Sequence, residues 1–465
     1  DAQGAVIDVN KGTFTVNGGS VTGTDMTVQG GEHCQFYVKS APQGTLSGRL
    51  TVGDVTQGNL TQENSSLTLG STLTLGANSD VRGNYLLQGT STLNGTTAVL
   101  GASGTGKVTQ TGGSCYLKNN LYLGNATASS YGSYAMNEND GTATSLSVYS
   151  LIDGNHGTGY VEQSRGTADI RGSLYLGYAS GGKGTYSYSS TTGPATVAGQ
   201  AYVGYGGTGL LSHRSGTMTY KGTLRVGNSQ GSDGTYKLQS GTLQNDAAYQ
   251  VIGYQGKGTF EQTGGTNQVN KYLYLAEGST GSGTYKMTGG TATVGTNLCV
   301  GGNNGAAGGP ATLTVDNGEL RVTSTLIVWG KGTVTINGGK VYADIVDNTH
   351  GGTFNLNGGE LHVREFRGNL NNNGGTVCPG ESPGTMTITG DFTQGPGGTL
   401  QIELSDVFDV LTVGGQVSLG GNLQVLLYNG FTLTAGLSFD CLNWGSLVGT
   451  FDALGLPALP DGVGW

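Results

Sequence analysis

The sequence predicts an all-β chain, a right-handed parallel β-helix or β-solenoid with about 23–27 residues per coil and a C-terminal β cap. Three observations carry that prediction. A phrase without catalytic side chains, GTFTVNGGSVTG from Gly12, is rewritten as GTVTINGGKVYA from Gly332 and GTFNLNGGELHV from Gly352. A short apolar triplet followed by Gly keeps returning, ending at Gly53, Gly76, Gly101, Gly124, Gly177, Gly204, Gly227, Gly253 and Gly301, with Ala276 in the same place. And 90 of the 465 residues are Gly, without a collagen period, while 35% are hydrophobic and mostly alternate with polar residues, as strands do.

The steps between triplets set the coil. Gly53 to Gly76, Gly101 to Gly124, Gly154 to Gly177, Gly204 to Gly227 and Gly253 to Ala276 each span 23 residues, and the steps between them run from 25 to 30. A constant minimum with variable insertions is the signature of stacked coils with adjustable loops. Each period holds a GTY-type strand, a second short strand and the triplet, as in GTYKMTGGTATVGTNLCVG, Gly283–Gly301. Three such strands close one coil, and successive coils pair in parallel at about 4.8 Å. Corners need positive φ, which Gly and Asn adopt with least strain. The VNGG and INGG phrases are therefore corners, and Asn337 and Asn357, one short coil apart, are placed to bond amide to amide. Roughly 17 to 20 coils, on the order of 80 to 100 Å in length, are expected.

Composition divides the chain into three zones: opening coils over residues 1–100, a regular Tyr-rich array over 101–330, and short-period coils with a capping region over 331–465. A solenoid must cover its last coil or present an open edge.

The capping region resembles a known pattern. SPGTMTITGDFTQGPGGTLQIEL from Ser382, then FDVLTVGGQVSLGGNLQVLL and LVGTFDALGLPALPDGVGW, is similar to the C-terminal end of the β-helical passenger regions of autotransporter-like, exported bacterial surface proteins. The likeness is close over about the last 85 residues, counted from Ser382, and stylistic upstream. It implies an exported right-handed solenoid and no catalytic residues, since the shared motif is architectural. Members that export themselves carry an outer-membrane barrel after this region; here the expectation is that a barrel or sorting tail is removed in maturation. Asp1 in place of Met likewise leads us to expect a cleaved export signal and an extracellular or cell-surface location.

The chemistry is sparse. A formal charge of −9 with scattered Lys and Arg leaves no basic stripe for nucleic acid, and no apolar run reaches the roughly 20 residues that span a bilayer. Cys34, Cys115, Cys299, Cys378 and Cys441 lie too far apart for a zinc or redox motif, so neither metal nor cofactor is expected; they read as small core hydrophobes. Asp406 and Asp409 read as turn residues, and LHVREFR, with His362, Arg364, Glu365 and Arg367, as a solvated charged strand. The four sequons, at Asn59, Asn64, Asn94 and Asn125, carry no information in so Asn- and Thr-rich a chain. The middle residue of the triplet points outward and is Tyr122, Tyr175, Tyr202 and Tyr274 in several coils, a candidate aromatic stripe; interrupted by Ile152, Arg225, Val251 and Cys299, it is expected to stack on itself between coils rather than to bind sugar rings or a neighbouring fibre.

These readings lead to a non-enzymatic structural subunit of an extracellular fibre, sheath or surface layer, with copies of itself as partner. A strand around Val6, Ile7 and Val9 would complete an open edge near Val463 and Trp465 of the next copy. An adhesin that binds surface polysaccharide through the Tyr stripe is the alternative, and a polysaccharide-degrading β-helix enzyme the third.

Overall fold

A computed structural model describes residues 5–8, 12–31, 34–40, 43–137, 142–381 and 383–459, with backbone only for Ala5–Asp8, Gly12 and Cys34. Val9, Val463 and Trp465 lie outside the described residues. The described residues form strands and turns with no helix, and therefore no helix long and apolar enough to cross a membrane. Every ladder between strands is parallel, which makes the architecture a β-solenoid of about 16 turns. That is fewer than the 17 to 20 expected, because long connections such as that from Tyr428 to Cys441 use residues that add no strand to the stack. The coils group into two compact units, Asp1–Ala248 with Gly253–Phe260, and Tyr249–Ile252 with Glu261–Trp465.

In unit 1 a coil has the three predicted strands. Lys183–Tyr188, Ala195–Val197 and Ala201–Val203 pair residue for residue with Thr208–His213, Thr217–Tyr220 and Leu224–Val226 of the next coil. Alternate side chains enter the core: Leu174, Leu176, Ala201, Val203, Leu224 and Val226 are all fully buried. Burying each Leu or Val contributes about 1.5–3 kcal/mol.

The Gly that follows the triplet is required by both conformation and space. Gly177 has φ +63°, and a Cβ there would sit 2.3 Å from the Thr208 carbonyl oxygen of the next coil. Ala276 occupies the same corner at φ +56°.

A hydrogen-bond motif invisible in the periodicity lies inside the coils. In unit 1 the register places Gln62, Leu87, Gln110, Met136, Gln163, Tyr188, His213 and Leu238 in one column, polar and apolar in turn. Each amide or imidazole of that column is reached by a Tyr from the following coil. Tyr134 donates to Gln110 Oε1 at 2.7 Å and Tyr186 to Gln163 Oε1 at 2.6 Å; Tyr85 likewise bonds Gln62, and the Tyr236 hydroxyl lies 3.0 Å from His213 Nδ1. The Gln Nε2 then donates to a carbonyl three residues on: Gln62 to Ser65, Gln110 to Gly113 and Gln163 to Gly166, at 2.7 to 2.8 Å. Unit 2 repeats the motif with Tyr285, Gln262 and Gly265. The 23-residue steps are the coils that carry Gln or His, and the longer steps are those that carry the Tyr. The repeating module is thus two coils.

Unit 2 departs from three strands per coil. Glu319–Trp329 pairs with both Thr291–Val294 and Leu298–Val300, and a register shift between Val322 and Thr325 replaces the corner. Lys340–His350 and Glu360–Arg367 follow with the same fused form. The period of about 20 expected here is met, from Ile336 to Leu356. Asn357 donates to Asn337 Oδ1 at 3.2 Å, as its position in the corner phrase predicts, and Asn337 donates to Asp316 at 2.8 Å.

Two buried ionisable groups break the pattern of unit 1. Asp153 stands between Leu123 and Leu176 in the triplet column, is fully buried, and has no hydrogen-bond partner on either carboxyl oxygen. Burial holds its carboxyl well above the usual range, the adjacent Thr185 and Gly154 amides opposing that without making full bonds. His213 fills a Gln position, and burial pushes its imidazole down to about 4 from 6.5, the Gly216 and Ser215 carbonyls resisting.

Three outcomes follow for stability. Gly177→Ala should cost about 2–4 kcal/mol in urea unfolding, from left-handed strain plus the Thr208 contact, while Ala276→Gly should be neutral or mildly stabilising. The unfolded chain binds a proton at His213 before the folded one does, so this residue removes stability as pH falls from 6.5 towards 4, by roughly 3 kcal/mol in full. His213→Gln should abolish that part of the acid sensitivity. Asp153 has the opposite sign: its contribution is intact below about pH 4 and is lost as pH rises towards its raised folded value. Asp153→Leu should therefore raise the unfolding midpoint at pH 7 and by less at pH 4.

Candidate functional site

The outward triplet residues do not make an open aromatic stripe. Tyr175 and Tyr202 stack on each other at 5.1 Å and 12°, and Tyr178 and Tyr205 close the cluster edge-on while stacking at 5.1 Å themselves. Arg225 covers the next position, 5.9 Å above Tyr202 and 4.9 Å above Tyr254. Tyr122 is half-buried and accepts a hydrogen bond from Asn120 at 2.8 Å. Tyr274 is only 4% exposed, because the loop after Gly301 folds over it and Asn304 donates to its hydroxyl at 2.9 Å. Tyr175 and Tyr202 thus stack between coils as expected of an interrupted stripe, while Tyr122 and Tyr274 are engaged by Asn120 and Asn304.

A charged cleft lies instead on unit 2. Fused strands in register put Arg321, Tyr342, His362 and Cys378 in one outer column, and Glu319, Lys340, Glu360 and Thr376 in the column two residues away. The Arg321 guanidinium lies 3.8 Å from the centre of the Tyr342 ring, and that ring stacks on His362 at 4.4 Å and 15°. Such a cation, phenol and imidazole pile is favourable electrostatically as well as by area. Asp344, Arg364, Gly380, Glu381 and Thr385 complete the lining of a cleft of about 530 Å³. Arg364 makes a two-pronged pair with Asp344 at 2.6 and 3.1 Å, and Arg367 another with Glu365 at 2.9 and 3.2 Å. Both arginines are exposed enough that these pairs fix geometry more than they stabilise.

The solvated-strand expectation thus holds for Arg364 and fails for His362, which is 8% exposed beneath Tyr342. Its Nε2 lies 2.9 Å from Glu360 Oε2, and Lys340 Nζ reaches the same oxygen at 2.9 Å. Burial alone would push Glu360 up, but Lys340 and His362 overcome it and hold the carboxyl below its usual range. Cys378 joins them from the next coil. The ligand-capable atoms of Glu360, His362 and Cys378 all lie within 4.8 Å of one another. Spacing along one segment could not show this group, because stacking, not local sequence, brings Cys378 opposite His362.

Asp409 takes the turn role expected of it. Its carboxylate accepts from the Gly384 amide at 2.6 Å and the Glu403 amide at 2.9 Å. Burial nevertheless pushes it up to about 6, those two amides opposing. Asp406 is exposed. Cys115, Cys299 and Cys378 are all buried thiols and burial pushes each up to about 12, but Cys299 stands opposite Tyr274 and Cys378 opposite His362 in outward columns covered from above; Cys441 is half-buried and no disulfide joins these four.

The expected assembly strand is only partly described. Val6 and Ile7 belong to Ala5–Asp8, which is not a loose arm but pairs in parallel with Met26–Gln29. At the other extreme, among the described residues Leu442–Gly449 pairs only with Val410–Leu419, and Ala453–Gly455 only with Asn422–Leu427. Trp444 and Leu447 stand opposite the buried Val413 and Val417, so they continue core columns, yet are 47% and 42% exposed. Leu454, opposite Leu423, is 59% exposed. No protein-family model matches the chain, and no curated protein matches it.

Proposed function

We propose that the chain is a structural subunit of an extracellular bacterial fibre, sheath or surface layer, assembled by contact between solenoid coils of successive copies. The observation that carries this reading is the uncovered coil of unit 2, where Trp444, Leu447 and Leu454 extend core columns into solvent. A parallel coil ends in a row of unpaired backbone groups, and another coil of the same kind satisfies both the hydrogen bonds and the apolar columns. The strands Ala5–Asp8, Gly12–Asn17 and Thr22–Gly23 of unit 1 offer the matching edge, since among the described residues each is paired on one side only. The resemblance of residues 382–465 to exported passenger regions supports a place outside the cell.

Glycan adhesion through the triplet tyrosines draws less support, because Tyr175 and Tyr202 are engaged with each other and Tyr274 is covered. Polysaccharide cleavage draws less support still, because the two carboxylates that line the cleft are each within ion-pair distance of an arginine, Asp344 of Arg364 and Glu381 of Arg321.

Electron microscopy and sedimentation of the purified chain over a range of concentrations test the proposal. Filaments or linear oligomers are expected. Trp444→Asp and Leu447→Asp should each raise the concentration needed for assembly at least about tenfold, since burial of either side chain is worth about 1.5–3 kcal/mol. A chain that stays monomeric at every concentration overturns it.

A further inference from the structure

Cys378 is buried opposite His362 in the outer column, and Glu360 stands two residues before His362 on the same strand. Lys340 is committed to Glu360. One thiol, one imidazole and one carboxylate, drawn from two neighbouring coils, have their ligand atoms within 4.8 Å of one another.

We infer that Cys378 Sγ, His362 Nε2 and a Glu360 carboxylate oxygen form a binding site for a divalent transition metal of the zinc class. The donor set fits: sulfur, nitrogen and oxygen ligands are those zinc takes, at bonds of about 2.0–2.3 Å, which place tetrahedral ligand atoms about 3.3–3.8 Å apart. Closing from 4.8 Å asks for a movement of about 1 Å, within reach of the Glu360 side chain, which is anchored only at its tip by Lys340 and His362. The stack of Tyr342 on one face of the imidazole fixes the ring plane beforehand. Three protein ligands leave a fourth position for water, and His362 lines the cleft shared with Arg321, Arg364 and Glu381, so that position is open to a small anionic or hydroxyl-bearing ligand. The metal replaces a proton: the Cys378 S–H bond breaks, the sulfur–metal bond forms and the proton leaves to solvent, while Glu360 exchanges Lys340 for the metal. The ion would then tie Glu360–Arg367 to Thr376–Pro379, at a place where the coil has lost its ordinary corner. This inference is independent of the assembly proposal.

Titration of the purified, reduced full chain with Co²⁺ tests it. One equivalent is expected to bind, with a thiolate-to-cobalt absorption band in the near ultraviolet, one proton released per metal, and displacement by Zn²⁺. Cys378→Ser should remove the band. His362→Ala and Glu360→Gln should weaken binding at least about tenfold. Lys340→Ala should tighten it several-fold, because it frees Glu360 and removes a competing cation. Serine at Cys34, Cys115, Cys299 or Cys441 should change nothing. Absence of the band at millimolar Co²⁺ in folded protein, or its persistence in Cys378→Ser, overturns the inference. Should Cys378→Ser fail to fold, an unchanged affinity in Glu360→Gln, at the half-exposed edge of the group, overturns it equally.

Discussion

A buried phenol reaching back one coil to a buried amide is the interaction on which the described array depends. The pairs Tyr134 with Gln110 and Tyr186 with Gln163 lie where water is excluded, so each unmade bond would leave two polar groups stranded. The Gln carries a second duty, donating to the carbonyl three residues ahead and so holding the corner between the first two strands tight. An insertion at that corner would pull the amide away from both partners. Coils that bear the Gln are therefore kept at 23 residues, while the coils that bear the Tyr are free to lengthen at their corners. Backbone ladders hold the coils together everywhere, but they are indifferent to which coil follows which; the side-chain link is what sets the order.

Stacking in register also decides where chemistry can occur. Residues at one position of successive coils become neighbours, so an outer column acts as a one-dimensional array of side chains about one strand spacing apart. In unit 1 such columns hold Tyr on Tyr. In unit 2, once the second and third strands fuse, the columns hold Arg321, Tyr342, His362 and Cys378 beside Glu319, Lys340 and Glu360. Alternation of charge down the second of these columns stabilises by pairing, and His362 is buried because the Tyr342 ring covers it.

The corners, the triplets and the parallel stacking were legible in the sequence because each has a local cause: positive φ at Gly, alternation at Leu and Val, an amide ladder at Asn337 and Asn357. The core role of the GTY tyrosines was not, since a Tyr that alternates with polar residues reads the same whether its hydroxyl meets water or a Gln in the previous coil. The two-coil module was hidden for the same reason, although the alternation of 23-residue and longer steps displayed it once the Gln positions were known. Burial of Tyr274 depends on a loop thirty residues downstream folding over it through Asn304. The group at Glu360, His362 and Cys378 depends on a register that the irregular loops of residues 367–376 leave undetermined until the coils are stacked.

Parity is a consequence of the alternating column. Excising one coil from the array would set Gln against Gln or Met against Leu, leaving either an amide without its phenol or a phenol without its amide, whereas excising two adjacent coils restores every link. A gene that grows or shrinks this array by duplication is thus confined to even numbers of coils, in segments of about fifty residues, such as the distance from Gln163 to His213. The length of the array is in that sense quantised, in steps twice as large as its visible repeat.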